Sequence, residues 1–166
     1  MTEHREGGDF TESETMQARS WPCLRQFCVF LENRVGRLSE LMRLVEDLDT
    51  QVVALSIVDS VDFAMVRLMF SNTDRGREKL TLSSFLFSES DVVGVELPES
   101  EKPLSDVCTA LVKAELNIHH AYPLLYRRRG RSVVAMYVDD VDTAAQILRD
   151  AGFRIITESD LLDDEF

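Results

Sequence analysis

Several residues stand where they could do chemistry. His119-His120 are adjacent histidines, Asp139, Asp140 and Asp142 crowd together, and Arg127-Arg128-Arg129-Gly130-Arg131 is a dense basic run. Neighbouring histidines invite a metal, but adjacent residues on a strand point to opposite faces and cannot easily share one ion. No C-x-x-C, H-E-x-x-H or EF-hand spacing accompanies them. The three aspartates fall at the expected start of a helix, where Asp139 or Asp140 would cap amides and their charge would complement the helix dipole. The arginines fall at an expected hairpin tip, which reads as a solvated turn or as a dock for an acidic partner or a phosphate. Cys23, Cys28 and Cys108 lack metal-ligand spacing and read as reduced apolar fillers. G-x-S-x-G, G-x-x-x-x-G-K-[ST] and G-x-G-x-x-G do not occur. Catalytic residues, a metal and a cofactor are therefore not expected.

Charge and length narrow the classes further. Thirty acidic against eighteen basic residues give a formal net charge of -12, the wrong sign for a general nucleic-acid binder or for adsorption to anionic lipid. No uncharged apolar run reaches the roughly 18 to 20 residues of a membrane helix. Residues 1–24 read as a disordered polar leader without the hydrophobic middle of a signal peptide, so the cytoplasm is the expected compartment.

Alternation and helical periodicity outline the elements that must position these groups. Phe27, Val29 and Leu31 alternate with Gln26, Cys28 and Phe30, which is strand spacing. Leu38, Leu41, Met42 and Val45 follow at helical spacing. Gln51–Val58 and Val61–Ser71 read as an antiparallel hairpin. Thr73–Ser83 reads as a weaker helix with Asn72 as cap and Gly76 against its first turn, and Ser84–Phe87 as a closing strand. The same order then returns: a strand at Asp91–Pro98, a stripe at Leu104, Val107, Cys108 and Leu111, and a hairpin of Asn117–Tyr126 with Arg131–Val138. A helix over residues 141–151 and a strand at Phe153–Thr157 complete it.

The repeat holds residue by residue. Leu38-Ser39-Glu40-Leu41 lies against Leu104-Ser105-Asp106-Val107 at an offset of 66, and Val66, Leu80 and Phe85 lie against Val134, Leu148 and Phe153 at an offset of 68. The length change falls in the second hairpin turn, where duplicated units tolerate it. The expected fold is α+β: two ferredoxin-like βαββαβ units in tandem, residues 25–90 and 91–162, with antiparallel sheets and helices on one face. Units of about 65 residues are marginal alone and carry unpaired sheet edges, so they are expected to pack together and to form a homodimer through sheets or helices.

The stretch FLENRVGRLSELMRLVEDLDTQVVALSIVD resembles the opening of an ACT domain, a small-molecule-binding regulatory module of amino-acid metabolism. The family's loop, an acidic residue or Asn followed by x-Pro-Gly-x-Leu, stands here as Glu32-Asn33-Arg34-Val35-Gly36-Arg37-Leu38. Ala114-Glu115-Leu116-Asn117-Ile118-His119-His120-Ala121-Tyr122 is similar to the G-I-N-I-x-x-A-Y stretch of tandem ACT proteins. Val35 replaces the proline of the first loop, and Lys102 stands where the second loop would carry its glycine. The resemblance implies one ligand site, at Asn33, Arg34, Val35, Gly36 and Leu38, with Asn117, Ile118 and His119 supplied by a neighbouring unit or a partner chain.

A glycine turn leading into a helix presents backbone amides at the positive end of the dipole, where a ligand carboxylate can sit. Gly36 serves equally as the turn that a strand-to-helix junction needs, and Asn117 as a turn residue after the third helix. The expected function is a non-catalytic regulator that binds an amino acid or similar small metabolite at an interface between ACT units. The rival reading is a regulatory or docking subunit of an amino-acid biosynthetic enzyme with a vestigial site. A third is a transcriptional regulator acting through another protein, since no helix here suits a DNA groove.

Overall fold

The computed structural model describes residues 23–162. The leader expected over residues 1–24 lies outside them except at its end, where Leu24 already opens the first strand. The order is β1 (Leu24–Glu32), α1 (Arg37–Val45), β2 (Val52–Asp59), β3 (Phe63–Phe70), α2 (Thr73–Thr81), β4 (Leu86–Glu96), α3 (Pro103–Lys113), β5 (Ile118–Arg128), β6 (Arg131–Val138), α4 (Val141–Asp150), β7 (Ile155–Ile156) and α5 (Glu158–Leu162).

All strand pairings are antiparallel, and the strand order β1-β3-β2-β5-β6-β4 returns to β1, with β7 outside β4. The sheet thus closes on itself, where the sequence suggests two separate sheets. Two features cause this. The expected closing strand of the first half and opening strand of the second are one strand: β4 pairs with β1 from Leu86 to Val92, then with β6 from Val93 to Glu96 and with β7 at Gly94 and Val95. On the far side, β2 meets β5 at the Ala54–Leu124 pair. The polar run Ser88-Glu89-Ser90, which looks like a break, is strand throughout. Glu89 takes a double hydrogen bond from Arg77 of α2 (2.8 and 3.1 Å), and Ser90 accepts one from Gln26.

Closure sorts the apolar residues into three clusters. α1 and α2 bury Leu41, Val45 and Leu80 against Phe27, Val66 and Phe70. α3 and α4 bury Val107, Leu111, Ala144 and Leu148 against Val95 and Met136. The inner faces of both halves share a third cluster that includes Leu24, Val92, Tyr122, Leu124 and Ile156. Each leucine buried in this way contributes about 1.5 to 3 kcal/mol. The predicted stripes of α1 and α4 point inward as expected, but Leu104 of α3 is 49% exposed.

Candidate functional site

α1 begins at Gly36, whose φ of 91° and ψ of -15° are left-handed, and no side chain caps its opening amides. A Cβ at Gly36 would meet nothing within 4 Å, so the glycine answers a backbone requirement and not a shortage of space. Asn33 is held by its neighbours: its side-chain amide donates to Asp59 Oδ1 (3.2 Å) and its backbone amide to the Asp62 carbonyl (3.5 Å). Arg34 pairs with Glu32 at 3.1 Å in solvent, and Val35 is fully exposed. Leu38 is half-buried against the α1 and α2 cluster.

The other helix starts differ. Asn72 caps α2 by accepting from the Arg75 amide (3.1 Å), and Asp140 caps α4 by accepting from the Thr143 amide (3.0 Å). α3, the counterpart of α1, has no side-chain cap at Lys102 but carries Pro103 in its first turn. Its loop is closed over by its own side chains: Ser100 Oγ donates to Asp106 Oδ2 (2.6 Å) and accepts from the Lys102 amide (3.3 Å). Among the described residues, α1 alone of the helices of eight or more residues therefore combines a start without a side-chain cap with a loop whose side chains do not bond across it.

Asn117, Ile118 and His119 form a cluster of their own. The Asn117 amide donates to Asp139 Oδ2 (3.1 Å), and His119 Nε2 lies 2.6 Å from Asp139 Oδ1. Asp139 thus holds the start of β5, and the helix cap falls to Asp140. Ile118 packs on the α3 and α4 cluster. Among the described residues, no hydrogen bond or ring contact links Asn33–Leu38 to Asn117–His119. Glu115, in the glycine position of the G-I-N-I stretch, has a φ of 58°; the conformation that glycine provides is kept with a side chain in place.

The opposite-face argument for the two histidines does not hold in the structure. The β5–β6 register shifts between Ile118↔Val138 and His120↔Tyr137, a bulge that puts one extra residue on β5. Both rings consequently lie against Tyr137, at centroid distances of 5.5 and 5.1 Å. Among the described residues, no group of three or more metal-ligating side chains gathers there.

His120 also belongs to a polar group on the inner face of the closed sheet, which the sequence pattern does not reveal as a unit. Gln26, 3% exposed, is its hub. Its Nε2 donates to Ser90 Oγ (3.0 Å), and its Oε1 receives Tyr122 Oη–H (2.7 Å) and His120 Nε2 (3.0 Å). Since Oε1 can only accept, His120 carries its proton on Nε2. Burial, the Arg67 charge and the neighbouring His119 all hold His120 below the usual histidine range, and burial pushes the Tyr122 hydroxyl well up. One layer outward, Cys28 and Ser56 flank Arg67 across the register of β1, β3 and β2. Burial raises the Cys28 thiol, with Arg67 opposing. The signal in the sequence was a glutamine inside an apolar strand and one arginine inside Phe63–Phe70.

The sequence profile of the family described as ACT domain pair matches residues 23–164. The chain belongs to that family. The ACT domain pair chain is similar in fold to a solved structure of protein BT0572 from Bacteroides thetaiotaomicron, at 24% identity and a TM-score of 0.77, covering 86% of this chain and 98% of that one. It is also similar to the ligand-free regulatory subunit of aspartate kinase from Thermus thermophilus, at 11% identity and a TM-score of 0.52, covering 79% and 93%. No curated protein sequence matches it. Among the described residues of this ACT domain pair, no helix is long and apolar enough to cross a membrane.

Proposed function

We propose that this ACT domain pair is a non-catalytic regulatory protein of the cytoplasm that binds an amino acid or similar small metabolite and signals through the packing of its two halves. The observation that carries the reading is the start of α1: an uncapped helix N-terminus opened by a left-handed glycine, in the loop where the family resemblance puts ligand. Amides at such a position favour a carboxylate by about 0.3 to 1 kcal/mol when exposed, and by more when buried. In this reading Asn33, Arg34, Val35, Gly36 and Leu38 line the site. Asn117, Ile118 and His119 join it from a second copy or after a shift of the halves, which form two ferredoxin-like units over residues 25–90 and 91–162.

The closed sheet suggests how such a shift could occur. The halves share β4 without interruption, whereas on the other side the ladder that joins them is one residue pair among the described residues, Ala54–Leu124. A ligand with different affinity for the opened and closed seam would move the balance between them, and a ligand with equal affinity would move nothing.

The test is a thermal-shift screen against the twenty amino acids at millimolar concentration. A ligand at one hundred times its dissociation constant stabilises by about 2.7 kcal/mol, several degrees for a domain of this size. Gly36→Val is expected to abolish the shift, and Gly36→Asn, which tolerates left-handed φ, to retain it. Equal affinity in Gly36→Val would remove the first loop from the site.

A second reading has its own observation. Val35 and Val61 are almost fully exposed and Ile57 is 47% exposed, all at the end of the sheet where Asn33 bonds to Asp59. Apolar side chains grouped there suit contact with a second copy or with a metabolic enzyme. A silent amino-acid panel combined with a dimer in light scattering would favour this docking role.

A further inference from the structure

The inner face of the first half is a ladder of layers that grows more exposed outward. The strand registers define two of them across β4, β1, β3 and β2, Ser88–Cys28–Arg67–Ser56 and then Leu86–Phe30–Met65–Val58, with the pairs Ser90–Gln26 and Met69–Ala54 one step inward. Residues directly opposite on neighbouring strands share a face. Gln26, Met69 and Ala54 are buried; Cys28, Arg67 and Ser56 are half-buried; Val58 and Leu86 are 44% and 72% exposed. The gradient has a structural cause. Outward of Ala54–Leu124 no further β2–β5 pair forms among the described residues, and β4, paired with β6 over Val93–Glu96, pairs with β1 alone from Val92 to Leu86. From that level outward no strand pair joins the two walls among the described residues, and His120 with its stacked neighbour Tyr137 stands on the wall contributed by the second half.

Arg67 is out of keeping with the other cations. Among the described residues, the half-buried Arg25, Arg37, Arg77, Lys79 and Arg131 each lie against an acid. Arg67 has no ion pair and donates no hydrogen bond among those residues, and its own layer and the two beside it contain no Asp or Glu. A half-buried guanidinium without a counter-charge forgoes hydration without compensation, in a protein with acid to spare. It is also a planar fork suited to a carboxylate. The same layers hold no carboxylate to pair with an ammonium group, and the next layer outward is apolar. We propose that the two walls splay where their pairing ends and bind a small carboxylic acid with an apolar tail between them, the carboxylate on Arg67 and the tail against Phe30, Met65 and Tyr137. The proposal rests on the regulatory reading above and gives it a second site, with a ligand class that needs no amino group.

The experiment is calorimetric titration of the full chain with 3-phenylpropionate and with 4-methylpentanoate, in the wild type, Arg67→Gln, Ser56→Asp and Gly36→Val. Ser56 faces Arg67 across β2 and β3, so Ser56→Asp supplies an internal acid and competes with ligand while keeping the arginine, which guards against a folding defect in Arg67→Gln. At least one acid is expected to bind the wild type and Gly36→Val alike, at least tenfold more weakly in Arg67→Gln and in Ser56→Asp. Undiminished affinity in both of those variants would overturn the proposal, as would no heat from either acid at millimolar concentration. If an amino acid from the thermal-shift panel binds in a Gly36-dependent way while both acids fail, this site falls and the regulatory reading stands. Silence in both experiments removes both.

Discussion

The two halves of the closed sheet differ at matched places in two ways. In the first half Phe70 of β3 fills the space beside Gly76 of α2 so fully that a Cβ there would lie 2.0 Å from the ring. At the offset of 68, the second half has Val138 and Ala144, a smaller strand residue and a larger helix residue, both buried. The core has diverged by a compensated exchange of volume. The helix starts have diverged without compensation: Gly36 opens α1 with no side-chain cap, while Ser100 and Asp106 bond across the loop before α3. Differences that preserve packing speak for a common fold, whereas one that leaves a single loop open speaks for a role that only the first half keeps.

The volume exchange can be broken directly, with the largest expected effect on stability. Gly76→Ala gains about 1 kcal/mol of helix propensity but drives a methyl into the Phe70 ring, an overpacking that typically costs about 1 to 3 kcal/mol and occasionally more. With the 2.0 Å approach setting the cost toward its upper end, a net loss of up to roughly 2 kcal/mol is expected in denaturant unfolding. Phe70→Val alone loses buried area, and the double variant is expected to lose clearly less than the sum of the two single losses, since contacting residues couple. Simple additivity of the two losses would refute the exchange.

A smaller effect tests the other junction. Glu115 holds a left-handed φ where the family stretch has glycine, at a cost of about 1 to 2 kcal/mol for a residue with a Cβ. Glu115→Gly relieves that strain but loosens the unfolded chain, so a gain of a few tenths to about 1 kcal/mol is expected. An unchanged or lowered midpoint in denaturant would mean that the Glu115 side chain contributes more than its backbone costs.

The smallest effect is on pH dependence. His120 titrates below its unfolded value near 6.5 because burial, Arg67 and His119 disfavour its charge. Its contribution to stability is therefore complete above about pH 6.5 and falls away as pH drops through the folded value, where the unfolded chain binds the additional proton. Melting temperatures from pH 7.5 down to 5 should show this slope in the wild type, and a shallower one in His120→Gln. Identical slopes would exclude His120 as its source.

Much of the fold was legible in the sequence because local periodicity was clean. The stripes at Leu41 and Val45 and at Ala144 and Leu148 became buried helix faces, and Asn72 became the cap that its residue type suggested. The closed sheet was not legible, since alternation shows which residues share a face but not which strand lies alongside. Ser88 and Ser90 read as a break when taken alone and as a polar layer once Gln26 is opposite. His119 and His120 misled for a related reason: the opposite-face rule holds within an unbroken ladder, and one inserted residue suspends it. Among the candidate site residues, Gly36 could be read because left-handed backbone selects glycine. Arg67 could not, because its significance lies in which acids are absent around it, a fact of three dimensions.

The unbroken course of β4 has one more consequence. Along it, Ser88, Ser90, Val92 and Gly94 turn toward the interior, while Phe87, Glu89, Val93 and Val95 turn toward the helices of one half or the other. A single pleat therefore carries the distinction between inside and outside from one half to the other. Inserting or deleting one residue near Asp91 would reverse that parity, turning the valines of the second half inward and exposing its core. A tether between domains is free to drift in length over generations, but here the spacing between the halves is fixed to an even count, as firmly as any buried side chain.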